Sequence, residues 1–198
     1  MSREGAPSLP VNGRGLRIGI VTARWHAEIT GALLECARAA LTELDVDDRV
    51  ELTAAGAFEV PVLAQALARQ GCSAVVVLAV VIRGGTPHFD HVCRAVTDGC
   101  ARVALDTGVP IGFGVLTCDD IEQATDRAGL PGSREDKGRQ AAEAAVAAAV
   151  ELQRLRATRS SRAWSPASRQ RRRTGRGAAS RHSDGAPASL RWLSMRSE

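Results

Sequence analysis

Apolar positions along the chain switch repeatedly between two periods. Leu16 to Thr22 (LRIGIVT) is a short, β-branched apolar run behind a Gly-rich leader. From Glu28 to Leu44 the residues Ile29, Leu33, Ala37, Ala40, Leu41 and Leu44 then recur at helical spacing. Val50 to Ala55 reads as a second strand, and after the break at Gly56 to Pro61 helical spacing returns from Val62 to Arg69. Ala74 to Ile82 (AVVVLAVVI) is an uninterrupted apolar run of strand length, which predicts a central parallel strand buried on both faces. A helix follows from His88 to Leu105, with Pro87 just before it or in its first turn, and Ile111 to Leu116 supplies a fourth strand. Asp119 or Asp120 can cap a helix from Ile121 to Ala128. Gly129 to Ser133 is a Gly/Pro turn, and an Ala-rich helix from about Glu135 to Arg156 closes the pattern. The order βαβαβαβαα with short links specifies an α/β domain: a four-stranded parallel sheet covered by helices on both faces, a three-layer flavodoxin-like sandwich.

The chain of 198 residues is 44% hydrophobic but only 3% aromatic and lacks Tyr, so its core must be built from Ala, Val, Leu and Ile. The pattern divides it into a flexible N-terminal segment (1–14), one folded domain (15–157) and a tail (158–198). From Thr158 onward Arg, Ser, Gly, Ala and Pro dominate, and arginines cluster at Arg169, Arg171, Arg172 and Arg173. Such a segment has no residues with which to make a core. It reads as a disordered appendage, as a patch attracted to nucleic acid or a membrane surface, or as the product of read-through or a frameshift. The arginines behind the net charge of +4 are concentrated in this tail, so the folded part is nearer neutral or acidic and nucleic acid is not its expected partner. Five cysteines without a Cys-x-x-Cys pair argue against a disulfide framework or structural zinc and favour a reducing, cytoplasmic compartment. No stretch approaches the roughly 20 apolar residues of a membrane span, and the leader lacks the apolar run of a signal peptide.

Open α/β sheets bind ligands beyond the carboxyl ends of their strands, which directs attention to the four post-strand segments. The third, Arg83 to Phe89, joins the buried strand directly to a helix start. Its glycines let backbone N–H groups approach an anion, Thr86 adds a hydroxyl and the helix N-terminus adds partial positive charge, so Gly85 and Thr86 are candidates for holding a phosphate. His88 in the first turn either exchanges protons with the bound ligand or simply caps the helix. Gly56 to Pro61 sets Phe58 and Glu59 on a constrained turn. Trp25, after the first strand, either covers a flat heterocycle bound there or packs. His88 and His91 have the spacing of metal ligands on one helix, but no matching third ligand follows, so no metal site is expected.

Taken together, VVIRGGTPHFDHVC (Val80 to Cys93), GAFEVP (Gly56 to Pro61), GVLTCDDIEQATDRAG (Gly114 to Gly129) and DKG (Asp136 to Gly138) closely resemble the 6,7-dimethyl-8-ribityllumazine synthase family, in order, over about Leu16 to Arg156. The resemblance implies condensation of 5-amino-6-(D-ribitylamino)uracil with 3,4-dihydroxy-2-butanone 4-phosphate, with no redox cofactor or metal. It implies His88 as proton shuttle and Trp25 stacked on the uracil, with Ala57, Phe58, Glu59, Val80, Val81 and Ile82 against the ribitylaminouracil. Gly85 and Thr86 would hold the phosphate. Phe113 and Arg127 would come from a neighbouring subunit, the first to the pyrimidine and the second to the phosphate, with Lys137 near the same pocket. A site shared in this way implies a homo-oligomer, in this family a pentamer that sometimes builds decamers or sixty-subunit capsids and can associate with riboflavin synthase. The turn Leu130 to Arg134 looks longer than in capsid-forming members, which favours a free pentamer. Two positions depart from the family pattern: Ala79 stands where Gly is usual, and Gly85 stands where a polar residue is common.

Two other readings fit parts of the pattern. A receiver domain needs acidic residues at its first and third strand ends, and a flavodoxin needs a Ser/Thr-rich loop after its first; Thr22 to Trp25 and Ile82 to Gly84 supply neither. A catalytically weak lumazine- or flavin-binding shell of the same fold would keep the motifs without the turnover.

Overall fold

The structure is a computed structural model and describes residues 11–163, with side chains to Thr158. Its elements run β1 (Arg17–Ala23), α1 (Ala27–Glu43), β2 (Asp48–Ala54), a 3-10 turn (Ala57–Glu59), α2 (Val60–Arg69), β3 (Ala74–Ile82), α3 (His88–Thr107), β4 (Ile111–Cys118), α4 (Ile121–Thr125) and α5 (Lys137–Ala163). All strand pairs are parallel, in the order β2-β1-β3-β4. The flavodoxin-like three-layer arrangement expected from the pattern is the one found.

The continuous apolar run in β3 is explained by its two faces. Ala74, Val76, Leu78 and Val80 join Ile18, Ile20, Leu33, Leu41, Ala142 and Val146 in a core under α1 and α5. Val75, Val77 and Ala79 join Val21, Val60, Ala64, Leu67, Val96 and Cys100 under α2 and α3. Each such Val or Leu contributes about 1.5–3 kcal/mol on removal from water, and β3 places seven consecutive residues there. Ala79, where the family usually has Gly, fills its place in the second core with no exposed surface.

Small residues in this core let the helices come close. A Cβ on Gly112 would lie 2.1 Å from the Ala141 carbonyl oxygen of α5, and one on Gly138 would lie 2.1 Å from that of Leu33 in α1. At both points backbone packs on backbone, so neither neighbour can turn a side chain aside.

Two helix ends differ from the pattern. Helix α4 is capped by Asp120, whose carboxylate accepts from Gln123 N–H at 2.7 Å, but it stops at Thr125 rather than Ala128. Beyond it the chain turns, and Ala128 makes a single antiparallel bridge with Asp136. Helix α5 continues past Arg156 to Ala163, beyond the last apolar position of its stripe; Leu155 is already 59% exposed. By internal contacts the chain divides after Thr158, and of the second unit only the helical backbone of 159–163 lies among the described residues. The remainder of the expected tail, with its arginine cluster, lies outside them, as do residues 1–10 of the leader.

Two glycine substitutions should have opposite signs. Gly138→Ala should cost about 3 kcal/mol or more, because a carbonyl must be displaced. Gly31→Ala, inside α1 with nothing within 4 Å, should add about 0.5–1 kcal/mol. Denaturant unfolding of the two variants checks both signs.

Candidate active site

At the carboxyl ends of β1 and β3 a cleft of about 310 Å³ opens, lined by Trp25, His26, Gly56, Ala57, Phe58, Val80, Val81, Ile82, His88 and Val92. Its floor is the end of β3, where the strand passes from fully buried Ala79 to half-exposed Val81 and Ile82. Its walls are aromatic: Trp25 is 68% and Phe58 65% exposed, although large rings are normally covered. The Trp25 ring lies beside Gly56, where a Cβ would be 3.7 Å from the indole. An open slot between flat apolar walls suits a planar heterocycle.

Local backbone geometry holds these groups in place. His26 is left-handed (φ 56°), uncommon for a residue with a side chain, and its carbonyl accepts from Ile29 N–H at 2.9 Å and Thr30 N–H at 3.0 Å. This turn starts α1 abruptly and leaves Trp25 on the rim. The Glu59 carboxylate turns back to accept from Gly56 N–H at 2.9 Å, tying the turn that presents Ala57 and Phe58. Pro87 immediately precedes α3, and His88 is its first residue, exposed to the cleft mouth.

Gly85 and Thr86 lie on the exposed loop between Ile82 and His88. A Cβ on Gly85 meets nothing within 4 Å, so the polar residue common there in the family would fit equally well. Arg83, the basic residue of this loop, is already engaged. Its Nε donates to Asp119 at 2.8 Å, its guanidinium approaches Asp90 at 3.4 Å, and it stacks on Phe89 at 4.2 Å from the ring centre. Among the described residues no Lys or Arg lines the cleft.

Of the residues expected from sequence, Trp25, Ala57, Phe58, Val80, Val81, Ile82 and His88 line one cleft, and Glu59, Gly85 and Thr86 sit beside it. Phe113, Arg127 and Lys137 do not line it. Phe113 is 42% exposed on the edge strand β4. Arg127 donates to the Gln123 carbonyl at 2.7 Å, and Lys137 pairs with Glu135 at the start of α5. The expectation left out His26, Gly56 and Val92. Val92 is legible as the residue one helical turn beyond His88, and the other two adjoin residues already singled out.

The cysteines are all free. Burial pushes each thiol above its ordinary value, Cys36 and Cys100 to about 11, so none is offered as a nucleophile. Among the described residues no three His, Cys, Asp or Glu side chains are grouped to hold a metal, and no helix is long and apolar enough to cross a membrane.

The fold and cleft define a class: an α/β protein with an open, aromatic-walled cleft at the carboxyl ends of its parallel strands, beside a histidine. Comparison with known proteins narrows it. A model of the 6,7-dimethyl-8-ribityllumazine synthase family matches residues 15–153. Relatives named 6,7-dimethyl-8-ribityllumazine synthase include one from Kineococcus radiotolerans, 57% identical over 152 residues, spanning 77% of this chain and 94% of the relative. Another, from Streptomyces avermitilis, is 54% identical over 153 residues, spanning 77% and 95%. The chain belongs to the 6,7-dimethyl-8-ribityllumazine synthase family.

The raised thiol values carry a direct expectation. At pH 8 roughly a thousandth of Cys100 is thiolate, so iodoacetamide should leave it unmodified in the native protein and label it only after denaturation. Peptide mass mapping reads the difference.

Proposed function

We propose that the family's reaction takes place here in a site completed by a second copy of the chain. The protein is an enzyme of riboflavin biosynthesis, a transferase that condenses 5-amino-6-(D-ribitylamino)uracil with 3,4-dihydroxy-2-butanone 4-phosphate to 6,7-dimethyl-8-ribityllumazine, releasing phosphate and water in the penultimate step. In our reading the pyrimidine enters between Trp25 and Phe58 against Val80, Val81 and Ile82, with the Ala57–Glu59 turn meeting its polar edge. Gly85 and Thr86 face the phosphate, and the α3 N-terminus favours its charge.

His88 stands where protons must move. The pyrimidine's 5-amine adds to the butanone carbonyl, and the carbinol nitrogen gives up a proton as water leaves to form the imine. Loss of a carbon-bound proton expels phosphate, and the second amine closes the ring with loss of another water. One imidazole at the cleft mouth can accept and return these protons in turn, and a positioned acid-base group contributes about 10²–10⁴-fold. The departing phosphate is a dianion that backbone N–H groups alone serve weakly.

The observation that carries the shared site is the mismatch between the cleft and the chain's cations. Among the described residues the cleft holds aromatic, apolar and imidazole groups but no Lys or Arg, Arg83 is already paired, and Arg127, Lys137 and Phe113 lie elsewhere. We infer a cyclic homo-oligomer, a pentamer, in which Phe113 and Arg127 of one copy reach the neighbour's cleft, with Lys137 near the same phosphate. The long turn Leu130 to Arg134 favours the free pentamer over a capsid. We assign the folded domain to 15–157 and, from its five free thiols, the protein to the cytoplasm. The family also suggests a further association with riboflavin synthase.

Formation of the lumazine chromophore from synthetic substrates tests the reading. His88→Ala should lower kcat at least a hundredfold with unchanged thermal unfolding. Arg127→Ala should raise KM for the phosphate substrate. When the two variants are unfolded and reassembled together in equal amounts, roughly a quarter of the sites should pair a wild-type His88 with a wild-type Arg127, and activity should return to about that level. No recovery in mixed assemblies would place both residues in one chain's site and end the shared-site proposal.

A further inference from the structure

The segment between α4 and α5 is more ordered than a connecting turn. Glu135 N–H donates to the Asp126 carbonyl, Gly129 N–H to that of Glu135, and Lys137 N–H to that of Arg127, each at 3.0 Å, while Ala128 pairs antiparallel with Asp136. These bonds make a short ribbon of 126–129 against 135–137. Gly129 closes it at φ 75°, with Cys36 so near that a Cβ would lie 2.6 Å from the sulfur. Ala128 is fully buried and Asp136 approaches Arg139, whereas Arg127, Glu135 and Lys137 form a separate charged face.

On that face one carboxylate serves two cations. Glu135 pairs with Lys137 and lies 3.8 Å from the Arg127 guanidinium, and its side chain is only 15% exposed. Arg127 is held a second time through the Gln123 carbonyl at 2.7 Å, and Lys137 Nζ also donates to Gln140 at 3.0 Å. A carboxylate buried this far is costly unless it fixes its partners. Without it, two like charges held side by side would separate into solvent.

We propose that Glu135 is a positioning residue for the condensation: it spaces Arg127 and Lys137 into one preformed receptor for the substrate's phosphate. This rests on the reading of Arg127 as a phosphate ligand. Glu135 touches neither substrate and acts by keeping both cations in place before the phosphate arrives, so that little ordering is left for the binding step.

Charge and position make opposite predictions. If Glu135 only offsets one positive charge, Glu135→Gln makes the face more positive and should bind phosphate more tightly. If it positions the cations, the same substitution should weaken binding although the charge has become more favourable. The test is the full-length assembled protein, with inorganic phosphate as competitive probe and steady-state kinetics for both substrates. For Glu135→Gln we expect about a tenfold rise in phosphate Ki and in KM for the butanone phosphate, a much smaller rise in KM for the pyrimidine, and partial recovery in Glu135→Asp. Phosphate Ki unchanged or lowered would overturn the proposal. Should Glu135→Gln fail to assemble, the Glu135→Asp protein carries the test: its phosphate Ki must rise more than its pyrimidine KM. Arg127→Ala separates the two levels. If it leaves phosphate Ki unchanged, the underlying reading fails; if it raises Ki while Glu135→Gln does not, only the role of Glu135 fails.

Discussion

Burial of β3 on both faces is the constraint on which the rest of the structure depends. A strand whose odd and even residues are both taken up by core has no lateral surface left for a ligand, so chemistry is confined to the end where the strand leaves the core. The transition is visible within four residues, from Ala79 to Ile82. Everything that characterises the cleft is placed by chain emerging from parallel neighbours at that same level: Trp25 after β1, Ala57 and Phe58 after β2, His88 after β3. The parallel sheet brings together segments that are distant in sequence simply because its strands end together.

Much of this was legible before any coordinates. Four apolar runs gave four strands, because burial on one or two faces leaves a different period in the sequence. The loop from Arg83 to His88 announced itself by its glycines next to the longest run. What the sequence did not disclose depends on partners that no local pattern names. Helix α4 ends early because residues beyond Thr125 find backbone partners in 135–137, a pairing that propensity does not encode. Helix α5 runs on past its apolar stripe to Ala163. Glu59 also bonds back to its own turn, and Arg83 is paired with Asp119 and Asp90.

The residues singled out from the sequence thus fall into two groups, a division the family resemblance already implied for Phe113 and Arg127. One group is gathered around a single cleft. The other, Phe113, Arg127 and Lys137, sits on the edge strand and on the ribbon before α5, with its own hydrogen bonds and ion pairs. The division follows the sheet order: the cleft is centred on β1 and β3, whereas Phe113 lies on β4 and Arg127 and Lys137 on the chain that follows it. Paired surface charges are commonly worth little, yet at Arg127 and Lys137 the pairing partner is largely withdrawn from solvent.

Helix α5 works as a depth gauge. At Gly138 its backbone rests on the backbone of α1, and at Gly112 the sheet rests on α5, with no side chain between them to act as a compressible shim. Lys137 immediately precedes the first of these contacts. The height at which this cation stands above the sheet is therefore set by main-chain atoms, and a change that tilts α1 would pass undamped through Leu33 and Gly138 to a charge on the molecule's surface. A core assembled from the smallest side chains gives up cushioning and gains mechanical transmission.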